Sequence, residues 1–136
     1  FEGLIQSGEI AAFIYEPLVQ GAAAMKMFDA NLLEKLLKIA RRNGVITIAD
    51  EVMTGFGKTG KNFASEYLEV YPDIICLSKS LTAGIVPMAI TTCTKDVYAS
   101  FYEDEIKKGF FHGHTYSANP LAWATSSLSM RWSAPS

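Results

Sequence analysis

The sequence is poor in the residues that staple, charge or anchor a chain. It has two cysteines and two histidines among 136 residues. Cys76 and Cys93 sit in apolar, strand-like runs without a metal-ligand spacing, so neither a zinc module nor a disulfide framework is indicated. They read as reduced core residues of a cytoplasmic protein. His112 and His114 stand two apart with no cysteine or acid accompanying them, too few ligands for a metal site. No apolar run approaches the ~20 residues that a membrane-spanning helix needs. A net charge of −2 with dispersed Lys and Arg leaves no basic footprint for nucleic acid. The charged fraction is 19% against 49% hydrophobic, the balance of a globular chain. There is no internal repeat and no signal-peptide pattern. The chain opens on Phe1 inside the amphipathic stretch FEGLIQSGEIAAF, and is expected to be a segment of something longer.

What is present is an alternation of strand and helix signals. Ala11–Pro17 is a short apolar run stopped by proline and reads as a buried strand. After a loop rich in small residues, Asp29 can cap a helix over Ala30–Asn43, closed by Gly44. In that helix Leu32, Leu33, Leu36, Leu37 and Ala40 fall on one face and the charged residues on the other, as in a helix that covers a sheet. Val45–Asp50 is β-branched without polar alternation, the pattern of a strand buried on both faces. A short helix is predicted near Phe63–Val70, a third strand at Ile74–Ser78 and a fourth at Met88–Cys93. A helix around Asp96–Tyr102 follows. Asn119-Pro120 then starts another, through Trp132. The order implies an α/β fold with a mostly parallel sheet and helices on both faces. Residues 1–132 are expected to be an incomplete piece of one domain, and 133–136 an unstructured tail.

In an open parallel sheet, ligands bind beyond the carboxyl ends of the strands. Those ends place Glu16, Asp50 and Lys79 along one rim, each spacing leaving room for a helix and its connections. An acid and an amine on neighbouring strands can form a plain ion pair. They can also do chemistry. A lysine just after a buried strand can have its charged form disfavoured by desolvation, and a neutral amine attacks carbonyls. Pyridoxal phosphate requires that pairing: a lysine that bonds its aldehyde carbon, and an aspartate that keeps its pyridine nitrogen protonated.

Four motifs carry a family resemblance: EPLVQG (Glu16–Gly21), IADEVMTGFGKTG (Ile48–Gly60), LSK (Leu77–Lys79) and HGHTYSANPLA (His112–Ala122). In this order and spacing they resemble the class III aminotransferases of fold type I. Within the family, EPLVQGAAAMKMF and FFHGHTYSANPLA are most similar to the members of biotin biosynthesis. The resemblance implies pyridoxal 5'-phosphate as cofactor, with Lys79 as its covalent partner and Asp50 at its ring nitrogen. It also implies Val52 packed on the ring and Glu16 as an acid beside the cofactor. Thr115 would reach the cofactor phosphate of a neighbouring subunit, with Gly113 and His114 near the substrate in the same loop. The active unit would therefore be a homodimer with shared sites. S-adenosylmethionine is the implied amino donor and 8-amino-7-oxononanoate the acceptor. Another class III activity, on ω-amino acids or 4-aminobutyrate, is the alternative, and a truncated, non-catalytic remnant is a further one. Met53 stands where many members carry glutamine, and Ala23, Ala24 and Ala83 stand where glycine is usual. If those positions need positive φ, alanine strains them. The segment matches only part of the family's usual length, so on its own it is expected to be inactive.

Gly55, Gly57 and Gly60 also spell a dinucleotide fingerprint, and Gly55–Lys61 most of a P-loop. Both patterns need the glycines directly between strand and helix, and here Glu51–Thr54 intervene. Asn62 occupies the place of the metal-binding Ser or Thr. A P-loop NTPase is thus the weaker reading.

Overall fold

The structure is a computed structural model that describes residues 1–133. Its elements are α1 (Glu2–Ile5), β1 (Ala12–Tyr15), β2 (Val19–Gln20), β3 (Lys26–Met27), α2 (Ala30–Arg42), β4 (Ile46–Asp50), β5 (Ile74–Leu77), β6 (Ile90–Cys93), α3 (Lys95–Ala99) and α4 (Pro120–Ser133). A four-stranded sheet has the order β1-β4-β5-β6, and β2 pairs with β3 apart from it. β1, β4 and β5 run parallel. β6 runs antiparallel to β5, so the sheet is mostly parallel, as expected. A parallel return needs a crossover, usually a helix. Between β5 and β6 the chain makes only a short 3₁₀ turn, Lys79–Thr82, and comes straight back.

Capping explains where α2 begins. Asp29 Oδ1 accepts the N–H groups of Asn31 (2.7 Å) and Leu32 (3.3 Å), satisfying two donors that lack helical partners. Asn43 caps the other end rather than continuing the helix. Leu33, Leu37 and Ala40 are buried, and burial of each leucine contributes about 1.5–3 kcal/mol. Leu32 is 54% exposed, so the apolar stripe is narrower than its five predicted members. With Tyr15, Ala49, Leu68 and Val70, the two leucines form the main core, on the β1–β4 side of the sheet. β4 alternates between buried and more open residues, so it is not sealed on both faces among the described residues.

Glu34 fastens α2 to the chain before β5. Its Oε2 accepts the N–H groups of Glu69 (2.9 Å) and Val70 (3.4 Å), and Lys38 Nζ lies 3.1 Å from Oε1. Burial works to raise the Glu34 carboxyl, but the bonds from Lys38 and the two backbone donors outweigh it and hold the group below its ordinary range.

Other expectations shift at their edges. The helix predicted near Phe63–Val70 is a 3₁₀ turn, Ala64–Tyr67. The one around Asp96–Tyr102 is α3, capped by the Thr94 hydroxyl. Asn119 Oδ1 accepts Leu121 N–H at the start of α4, as the Asn-Pro signal foretold. α4 includes Ser133, the first residue assigned to the tail, and 134–136 lie outside the described residues. Cys93 is exposed and Cys76 half-buried, so they are not core residues here. Phe110, Phe111 and Tyr116 are also exposed. Ala24 (φ 57°) and Ala83 (φ 52°) do occupy left-handed backbone, which alanine adopts only with strain. No helix among the described residues is long and apolar enough to cross a membrane.

Candidate active site

The parallel register brings three ionisable side chains to one rim. Tyr15 pairs with Ala49 and Asp50 with Cys76, so the ends of β1, β4 and β5 lie side by side. Glu16 follows β1, Asp50 closes β4, and Lys79 stands just beyond β5. All three line one cavity of about 380 Å³, together with Val52 and Met53. Gly21, Ala22 and Met25 complete its lining.

Asp50 is half-buried, and its Oδ1 accepts Val52 N–H at 3.1 Å. That bond aims the carboxylate and leaves it capacity for a further donor. Glu16 Oε2 accepts Gly21 N–H at 2.8 Å, folding the chain after β1 over the cavity. At Gly21 an added Cβ would stand 2.7 Å from Met53 Sδ and 3.3 Å from Glu16 Oε2, so only glycine fits that approach without displacement. Lys79 is exposed and opens the 3₁₀ turn with φ 45°, a left-handed value that costs a lysine energy. Ser78, just before it, donates from Oγ to the Met88 carbonyl at 2.6 Å.

The residues missed by sequence reasoning support the cavity from behind. Glu51 is fully buried. Its Oε2 accepts Thr54 Oγ1–H (3.0 Å) and Ala64 N–H (2.7 Å), and its Oε1 accepts Ser65 N–H (2.8 Å). Its carbonyl also accepts Gly55 N–H at 2.9 Å, and a Cβ at Gly55 would stand 2.9 Å from that oxygen. The glycine-rich loop is therefore tied to Glu51, which fixes the Val52–Met53 wall. Strand alternation held the signal: if Asp50 faces the rim, Glu51 faces inward, where a carboxylate must find donors. The same bonds answer the nucleotide question. An acid enclosed by its own loop is not presented to Mg²⁺, and Gly55 serves a close backbone approach.

Gly113, His114 and Thr115 are not part of this cavity. They lie in the exposed, irregular stretch before α4, where His114 Nδ1 accepts Tyr116 N–H at 3.2 Å. His114 instead borders a wider, mostly apolar groove of about 1890 Å³, along with Phe101, Phe110 and β6.

The 380 Å³ cavity fits the aldehyde and ring of pyridoxal phosphate by the chemistry of its donors. It offers an amine for the aldehyde, a carboxylate for the ring nitrogen, and Val52 as an apolar face. Its size is in the range of small-ligand sites. Among the described residues Lys79 is the only basic one lining it, so a cofactor phosphate would need further donors.

Comparisons with known proteins point to one family. The family model "Aminotransferase class-III" matches residues 1–133. The chain is 45% identical over 129 residues to the adenosylmethionine-8-amino-7-oxononanoate aminotransferase of Synechococcus elongatus, covering 95% of this chain and 30% of that protein. It is 39% identical over 130 residues to the bifunctional dethiobiotin synthetase/7,8-diamino-pelargonic acid aminotransferase of Arabidopsis thaliana, covering 96% and 16%. Among solved structures, the adenosylmethionine-8-amino-7-oxononanoate aminotransferase of Methanocaldococcus jannaschii superposes with a TM-score of 0.88 at 34% identity, over 96% of this chain and 32% of that one. An (S)-enantioselective omega-transaminase from Thermomicrobium roseum gives 0.88 at 33%, over 97% and 30%. The chain thus spans less than a third of the length of each of these relatives.

Proposed function

The chain belongs to the class III aminotransferases, and from that premise we propose that it carries the reactive lysine of a pyridoxal-phosphate-dependent aminotransferase of biotin biosynthesis. The amino group would pass from S-adenosylmethionine to 8-amino-7-oxononanoate. The observation that carries this reading is the meeting of Lys79, Asp50 and Val52 in one cavity, at the ends of adjacent parallel strands. When bound, pyridoxal phosphate supplies an electron-poor ring that accepts the electrons left when a proton departs from the substrate carbon. Asp50, aimed by Val52 N–H, would hold positive charge at the ring nitrogen. Val52, which lines the same cavity, would pack against the ring face. Lys79 Nζ would hold the cofactor covalently and, when free, would accept and return a proton as general base and acid. Glu16, held by Gly21, shapes the cavity mouth.

Thr115 is the proposed hydrogen-bond donor to the cofactor phosphate, reaching from one subunit into the site of its partner, with Gly113 and His114 near the substrate. Their distance from the local cavity in sequence and their exposure support this homodimeric arrangement. A cytoplasmic, reducing setting suits the free thiols of Cys76 and Cys93.

The test is product formation by the intact protein. S-adenosylmethionine with 8-amino-7-oxononanoate should yield 7,8-diaminopelargonic acid. Faster turnover with ω-amino acids or 4-aminobutyrate would move the substrate assignment to the other branch and leave the family unchanged.

A further inference from the structure

The left-handed backbone of Lys79 must be held from outside, because a free lysine turn would relax out of it. The restraint lies in the connection from β5 to β6, which two hydroxyls close in nested fashion. Ser78 Oγ donates to the Met88 carbonyl at 2.6 Å, and inside that ring Thr82 Oγ1 donates to the Val86 carbonyl at 2.6 Å. Backbone bonds from Leu81 to Ser78, Ala83 to Ser80 and Ile85 to Thr82 tighten the same turn. From below, α4 packs on it, and Ser129 Oγ donates to the Ser80 carbonyl at 3.1 Å.

The two loop hydroxyls differ in environment. Ser78 is half-buried, whereas Thr82 is 1% exposed beside the equally buried Leu81. Water can replace a lost bond at Ser78 but cannot reach Thr82. Thr82 is in the lining of neither cavity described above.

We propose that Thr82 is a positioning residue for the Lys79 amine: its hydroxyl, bonded to the Val86 carbonyl, keeps the turn closed and the lysine backbone left-handed, which sets where Nζ enters the cavity. This rests on the reading of Lys79 as the reactive amine. The strain at Lys79 and a buried hydrogen bond are of similar size, so loss of the bond lets relaxed conformers compete with the competent one.

The experiment compares Thr82→Val, which removes the hydroxyl at nearly constant shape, with Thr82→Ser, which keeps it. Both are made in the intact holoenzyme. The readouts are kcat, KM and the pH midpoint of the cofactor's visible absorbance. Thr82→Val should lower kcat about tenfold with KM unchanged, and shift the midpoint. Thr82→Ser should restore both. Ser78→Ala should move the same quantities by less, and it carries the test if Thr82→Val does not fold. Wild-type kcat and midpoint in the variants lacking a hydroxyl would overturn the inference, as would a defect that Thr82→Ser does not repair. If Lys79→Ala kept the wild-type visible absorbance, the function proposed above would fall and this inference with it. If that absorbance depends on Lys79 but not on Thr82, this inference alone falls.

Discussion

Replacing Glu51 with glutamine should be costly although it removes only a charge. The carboxylate receives a hydroxyl and two backbone N–H groups, and no water reaches it. An amide oxygen at the Oε2 position could keep Thr54 and Ala64. The amide nitrogen would then face Ser65 N–H, donor against donor. Hydrogen bonds to a charged group are worth about 1.5–3 kcal/mol, and a buried orphan donor costs about 1–3 kcal/mol. Taking a charge out of the interior relieves part of this. The net expectation is a loss of about 2–4 kcal/mol for Glu51→Gln, and more for Glu51→Leu, which leaves all three donors unpaired. Urea unfolding of the intact protein measures it, as a lower midpoint at unchanged slope. Cofactor affinity should fall too, because the loop tied to Glu51 carries Val52 and Met53. A Glu51→Gln variant within about 0.5 kcal/mol of wild type would refute the claim that this carboxylate holds the loop.

Three further outcomes follow from named contacts. Gly21→Ala should weaken cofactor binding more than stability, because the new methyl meets the flexible end of Met53 at 2.7 Å and can be accommodated by pushing it into the cavity; a cofactor titration beside a melting curve separates the two. Ala24→Gly should stabilise the protein by about 0.5–1 kcal/mol, since relief of left-handed strain exceeds the added freedom of the unfolded chain, and a rise in melting temperature would show it. Glu34 should contribute stability above its ordinary pKa of 4.5 and lose it as pH falls through its lowered folded value. Melting temperature against pH in the acid range should therefore drop less steeply in Glu34→Gln than in wild type.

Much of the site was legible because its chemistry follows from topology. Once Ala11–Pro17, Val45–Asp50 and Ile74–Ser78 read as parallel strands, Glu16, Asp50 and Lys79 had to share a rim, and they line one cavity. The Asp29 cap and the Asn-Pro start of α4 are local signals and held locally. The direction of β6 was not legible, because nothing in its residues tells a tight return from a crossover. Exposure at Cys93, Phe110 and Tyr116 was equally hidden: an apolar residue is written the same way whatever covers it. Glu51 was overlooked because the glycines beside it suggested phosphate, while its partners Ala64 and Ser65 lie well along the chain. The strain at Lys79 belongs to the backbone, and no residue type announces it.

The account turns on Lys79 as the residue that bonds the cofactor. Borohydride reduction of the pyridoxal-phosphate-loaded intact protein, followed by peptide mapping, tests this directly. The prediction is a single stable label on the lysine of the LSK motif, absent from a Lys79→Ala variant. A label on another lysine, or none despite bound cofactor, would contradict it.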